Sequence, residues 1–64
     1  NSTITFIFDS PVSNVSCDAS IGDAYQSASN EITFESAGTV GATGSINFSM
    51  GGLNYYMEIK LIAI

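Results

Sequence analysis

The sequence predicts an all-β domain, either a small antiparallel sheet or a minimal sandwich. Three observations carry that reading. Apolar and polar residues alternate with a period of two through much of the carboxyl half. A Gly51-Gly52 pair interrupts the alternation where a two-residue hairpin turn belongs, and a β-branched and aromatic run lies near the amino end.

That amino-terminal run, Thr3 to Asp9, places Ile4, Phe6 and Phe8 on one face and Thr3, Thr5, Ile7 and Asp9 on the other. Asp9-Ser10-Pro11 stops it, because proline fixes φ and removes a ladder donor. From Ser10 to Asn30 the pattern thins. Val15, Cys17, Ala19 and Ile21 alternate and form at best a weak strand, and Asp23 to Ser29 reads as a helical turn or an irregular loop.

From about Asn30 onward the sequence predicts a three-stranded meander. Ile32 and Phe34 alternate with Glu31, Thr33 and Glu35, and a Ser36-Ala37-Gly38 loop would pair Phe34 with Val40 and Ile32 with Ala42. Ile46, Phe48 and Met50 then precede the glycine pair, and Leu53, Tyr55, Met57, Ile59 and Leu61 follow it. A two-residue loop pairs Met50 with Leu53, Phe48 with Tyr55, Ile46 with Met57 and Gly44 with Ile59, so every apolar residue falls on one face. A one-residue slip would turn them all over, so turn and pattern agree independently. Continued to Ile64, the last strand would span roughly 40 Å, about twice the usual strand length. Gly41 and Gly44 are the positions where a bulge or break is expected.

With 64 residues the chain has room for one domain, residues 1–64. A domain this small buries only about 60% of the surface its unfolded chain exposes, so disulfides, metals or association usually supplement it. A single cysteine closes no intrachain bridge, and with no histidine and no cysteine cluster a zinc site is not expected. No cofactor is expected. Association with other copies remains as the means of stabilisation.

The six acids face one base, Lys60, for a net charge of −5. Nucleic acid is therefore an improbable partner, since phosphate binding needs Lys or Arg to displace counterions. Ser, Thr, Asn and Gly supply the polarity instead, a habit of extracellular β-proteins. No run reaches the roughly 20 apolar residues of a membrane-spanning helix. Asn1 follows no basic and apolar leader, which fits a processed chain or a fragment of a larger β-protein. The sequons at Asn1, Asn14 and Asn47 are candidate glycosylation sites of an exported chain.

An enzyme is not expected. Histidine is absent, and Asp18 beside Cys17 disfavours a thiolate. Cys17 reads as a small core residue or an intersubunit disulfide. Lys60, beside Glu58 on the outer face and in the neighbourhood of Glu31 and Thr43 across the sheet, reads as one half of an ordinary cross-strand ion pair. Asp18 and Asp23 with Gly22 offer calcium a set of hard oxygens, but the spacing fits a solvated loop better. Tyr56, pointing outward beside Asn47 and Asn54, is the candidate ligand contact, as a stacking platform for a sugar or a protein.

The two ends shape the functional expectation. Ile4-Thr5-Phe6-Ile7-Phe8 and Leu61-Ile62-Ala63-Ile64 are apolar on both faces, which suits strands covered on both sides. Ile4, Phe6, Ile7, Phe8, Leu61, Ile62 and Ile64 are accordingly the candidate assembly contacts, with neighbouring subunits completing the sheet. The sequence thus points to a self-assembling structural subunit of an extracellular filament, sheath or coat, a homo-oligomer or polymer. The alternative is a small secreted binding module for a glycan or receptor.

Overall fold

The computed structural model describes residues 2–62. They form six strands: β1 (Thr3–Ile7), β2 (Val12–Cys17), β3 (Gly22–Ala28), β4 (Glu31–Ser36), β5 (Thr43–Met50) and β6 (Leu53–Lys60). Two antiparallel three-stranded sheets result, ordered β1-β4-β3 and β2-β5-β6. Each is a sequential hairpin, β3–β4 or β5–β6, that receives its third strand from the amino-terminal part of the chain. Inner residues of both sheets share one core of Val12, Ile21, Ala24, Ile32, Phe34, Ile46 and Phe48. The domain is an all-β sandwich of minimal size.

The β5–β6 hairpin has the register that its sequence dictates, with Met50 opposite Leu53, Phe48 opposite Tyr55, Ile46 opposite Met57 and Gly44 opposite Ile59. Gly51 and Gly52 both have positive φ, 61° and 80°, as a type I′ turn requires. Pairing runs back as far as Leu61, whose N–H donates to the Ala42 carbonyl at 2.9 Å. There the partner segment turns away, with the Ala42 N–H bonded to the Thr39 carbonyl at 3.0 Å. Strand β6 ends at Lys60; of the continuation expected beyond it, residues 63 and 64 lie outside the described residues.

The expected meander from residue 30 is not formed. Strand β4 pairs with β1 and β3, so Phe34 stands opposite Ile4 and Ala24, and Ile32 opposite Phe6 and Gln26. Both of its edges are then occupied, and none is left for β5. Residues 37–42 cross between the sheets instead. Gly38 lies so close to the Ser20 carbonyl that a β-carbon there would be 2.2 Å from that oxygen, so the crossover packs on the β2–β3 connection rather than closing a hairpin.

The segment expected as a helical turn or loop, Asp23 to Ser29, lies largely in strand β3. Only Ala24 is buried along it, so the strand lacks the alternation that would announce it. Strand β2 hides its pattern differently. Asn14 has φ 52°, and Ser13 pairs with Ser49 while Ser16 pairs with Asn47. Two residues, Asn14 and Val15, thus oppose Phe48 alone, which defines a β-bulge. The extra residue resets the side-chain parity, and Val12, Val15 and Cys17 all turn toward the core.

Ile21, Ile32 and Ile46 are fully buried, each worth about 1.5–3 kcal/mol by transfer from water. Phe48 joins the layers, its ring 5.1 Å from Phe8 and 5.7 Å from Tyr55. Because the bulge holds three inward residues in phase, its left-handed residue controls them. Asn14→Gly is expected to be nearly neutral in chemical denaturation, since glycine adopts this conformation freely. Asn14→Val is expected to cost about 1–2 kcal/mol, the penalty of a left-handed backbone for a residue with a β-carbon.

Candidate functional site

The two flanks of the sandwich differ. On one, the sheets are tied together: the Val12 N–H donates to the Ser29 carbonyl at 2.8 Å, and the Gln26 side-chain amide to the Val12 carbonyl at 2.9 Å. On the other flank stand the outer edges of β1 and β6. Between them opens a groove of about 310 Å³, lined mainly by Ile4, Phe6 and Phe34 from one sheet and by Ile59, Leu61 and Ile62 from the other side, with Ser2, Ser36 and Lys60 at its margin.

The groove marks where the layers lack cover. Phe34 on central β4 is buried, yet Ile4 directly beside it on the inner face of β1 is 52% exposed. Met57 and Ile59 on the inner face of β6 are only half-buried, and Leu53 is exposed. Ile62 is 70% exposed at the groove, and Ile7 is 73% exposed on the outer face of β1. Of the sequence-derived assembly residues, Phe6, Phe8 and Leu61 pack against the core from within the chain. Ile4, Ile7 and Ile62 are the exposed ones, and Ile64 lies outside the described residues.

A second surface lies on the outer face of the β2-β5-β6 sheet. Asn47 stands opposite Tyr56 and Ser49 opposite Asn54, with the Ser49 hydroxyl donating to Asn54 Oδ1 at 2.7 Å. Hairpin parity places these residues together as the sequence anticipated, and Tyr56 is 66% exposed. Asn14 joins them through the bulge, its side-chain amide 3.4 Å from the Ser49 hydroxyl. Sequence reasoning did not include Asn14 in this patch, because only the bulge brings it there. Both described sequon asparagines, Asn14 and Asn47, are exposed on this face; Asn1 lies outside the described residues.

The remaining candidates have structural duties. Asp18 Oδ2 accepts the Ser45 N–H at 2.9 Å while the Asp18 N–H donates to the Ser45 carbonyl at 3.1 Å, so this carboxylate extends the β2–β5 ladder. No cluster of three His, Cys, Asp or Glu residues suited to a metal occurs among the described residues. Lys60 stands opposite Thr43 as anticipated, whereas Glu31 belongs to the other sheet. Among the described residues no helix is long and apolar enough to cross a membrane.

Comparison with protein-family models, with curated proteins and with solved structures finds no match. The functional reading therefore rests on the geometry of this chain.

Cys17 is half-buried against the core, its Sγ 3.4 Å from the Asp18 carbonyl. Burial pushes its thiol above the ordinary range, and the charges of Asp18 and Asp23 push it further. A raised pKa leaves less thiolate at any given pH, and an intersubunit disulfide needs that thiolate to form. Alkylation by iodoacetamide at pH 8 is expected to run several-fold slower than for a free thiol such as glutathione, and to accelerate only at higher pH. A rate equal to that of glutathione would contradict this environment.

Proposed function

We propose that this chain is a structural, non-enzymatic subunit that self-assembles outside the cell into a filament, sheath or coat, through strand addition and burial of apolar faces. The observation that carries the reading is the uncovered β1/β6 flank. An inner-face isoleucine, Ile4, is half exposed beside a fully packed core, and two strand edges border the same groove. An isolated sandwich gains nothing from leaving such surface wet. A second chain placed there would bury the exposed parts of Ile4 and Ile62, worth about 1–2 kcal/mol per side chain, a sizeable fraction of the stability of a small domain.

Composition supports the same reading. Edge strands of soluble monomers are commonly guarded by Lys or Pro; β1 carries neither, and the chain's one lysine, Lys60, lines the groove from the β6 side. With a net charge of −5, copies repel one another at low ionic strength, so assembly is favoured by added salt. Ile62→Lys tests the role of the groove, because Ile62 is exposed and its replacement leaves the core untouched. Electron microscopy and sedimentation should show large particles for the parent chain and dispersed species for the variant, with unchanged thermal unfolding of the dispersed domain. A parent chain present only as stable monomers would overturn the reading.

The exposed Tyr56 favours a second reading, a secreted binding module. An aromatic face flanked by the amides of Asn47 and Asn54 offers stacking and hydrogen bonds to a sugar or a protein surface. On that reading Tyr56→Ala removes binding on a glycan array and leaves assembly intact. Glycan binding unchanged by the substitution would eliminate the patch.

A further inference from the structure

We propose that a second copy of this chain covers the open flank by pairing its β1 antiparallel to β1 of the first about a two-fold axis through Thr5, which joins the two β1-β4-β3 sheets into one. The inference rests on the assembly reading above and names the partner strand and its register.

The hydrogen-bond phase of β1 fixes the geometry. The Ser36 N–H donates to the Ser2 carbonyl at 2.8 Å, and the Phe8 N–H to the Asn30 carbonyl at 2.9 Å. Ser2 and Phe8 are thus in bonded pairs with β4, and bonded pairs alternate along an antiparallel ladder. Ile4 and Phe6, opposite Phe34 and Ile32, therefore turn their backbone groups toward β4. Thr3, Thr5 and Ile7 turn theirs toward the open edge, where no described strand pairs with them.

That outward set is self-complementary. With Thr5 opposite Thr5 of the second copy, Thr3 falls opposite Ile7, and all three positions present a donor and an acceptor to an identical edge. The axis is perpendicular to the sheet, so inner faces stay on the same side and Ile4 of each copy meets Phe6 of the other over the groove. The surface is isologous, as a two-fold contact demands. Ser2 to Phe8 contains none of the six acids of a chain with net charge −5, so this edge brings two copies together without placing like charges in contact. The half-exposed Ile4 is covered in the same step. Two-fold closure makes the dimer the building unit, and any further growth falls to other surfaces.

Thr5→Pro tests the pairing. Its N–H points away from β4, so proline there spares the internal ladder and removes a central donor of the joint. A second variant guards against misfolding: Thr3→Lys with Ile7→Lys, both exposed and each opposite an acid of its own β4, Glu35 and Glu31. In the proposed register each new lysine faces another across the axis. A strand pair this short is a small joint, below about 1,000 Å² and weak in isolation, so sedimentation is run over a concentration series in reducing buffer, with circular dichroism to confirm the fold.

The parent chain is expected to associate, and both variants to weaken that association tenfold or more with an unchanged spectrum. If the parent stops at a dimer that the folded variants dissolve, the β1 joint stands and the filament reading fails. Folded variants that form the same large particles as the parent would overturn the joint and leave the filament reading standing. A parent that remains monomeric at every concentration overturns both.

Discussion

The facing of two central strands, β4 and β5, is the constraint on which the rest of this domain depends. Ile32 and Phe34 from one and Ile46 and Phe48 from the other are all buried, and each strand has neighbours on both edges. Every other strand is placed by what these two leave vacant. Strands β1 and β2 come from the amino-terminal part of the chain to complete β4 and β5, which is why the chain alternates between layers before its second hairpin. On one flank Val12 is tied to Ser29 and Gln26 of the other layer; on the other, β1 and β6 stand apart over a largely apolar groove. The asymmetry of the flanks thus connects folding to the proposed assembly.

A chain with one lysine and no arginine satisfies its surface by hydroxyls and amides. Thr33, buried on the outer face of β4, receives its partners from the strands on either side: its Oγ1 donates to the Ser27 hydroxyl at 2.8 Å and lies 3.3 Å from Thr5 Oγ1. On the other sheet Asn14, Ser49 and Asn54 form a comparable row. No buried side-chain nitrogen or oxygen among the described residues lacks a partner, so the polar groups are consistent with a single packed state. Such faces carry little charge to oppose close packing of copies beyond the scattered acids.

The hairpin around Gly51-Gly52 was legible because turn chemistry and side-chain parity agree on one register. The same parity made the Tyr56, Asn47 and Asn54 patch legible. Strand β3 was not, because Ala24 is its one buried residue and an edge strand with a single small inward side chain leaves no periodic trace. Strand β2 was partly legible: Val15 and Cys17 alternate, but the bulge at Asn14 breaks the phase with Val12. The meander failed for a topological reason. Local pattern assigns β4 to its nearest successor, whereas β1 and β3 occupy both its edges. The groove was out of reach for the same reason, since it depends on sheet order, although Ile4 and Ile62 stood out by their own hydrophobicity.

The most direct test of the account is residue-resolved hydrogen exchange on the dispersed and the assembled chain. In the dispersed domain the amides of Ile4 and Phe6, turned toward β4, should be protected, while those of Thr3, Thr5 and Ile7 exchange freely. On assembly the second set should become protected as well. Equal protection of both sets in the dispersed chain, or no gain at Thr3, Thr5 and Ile7 in the assembled one, would contradict an open edge completed by another copy.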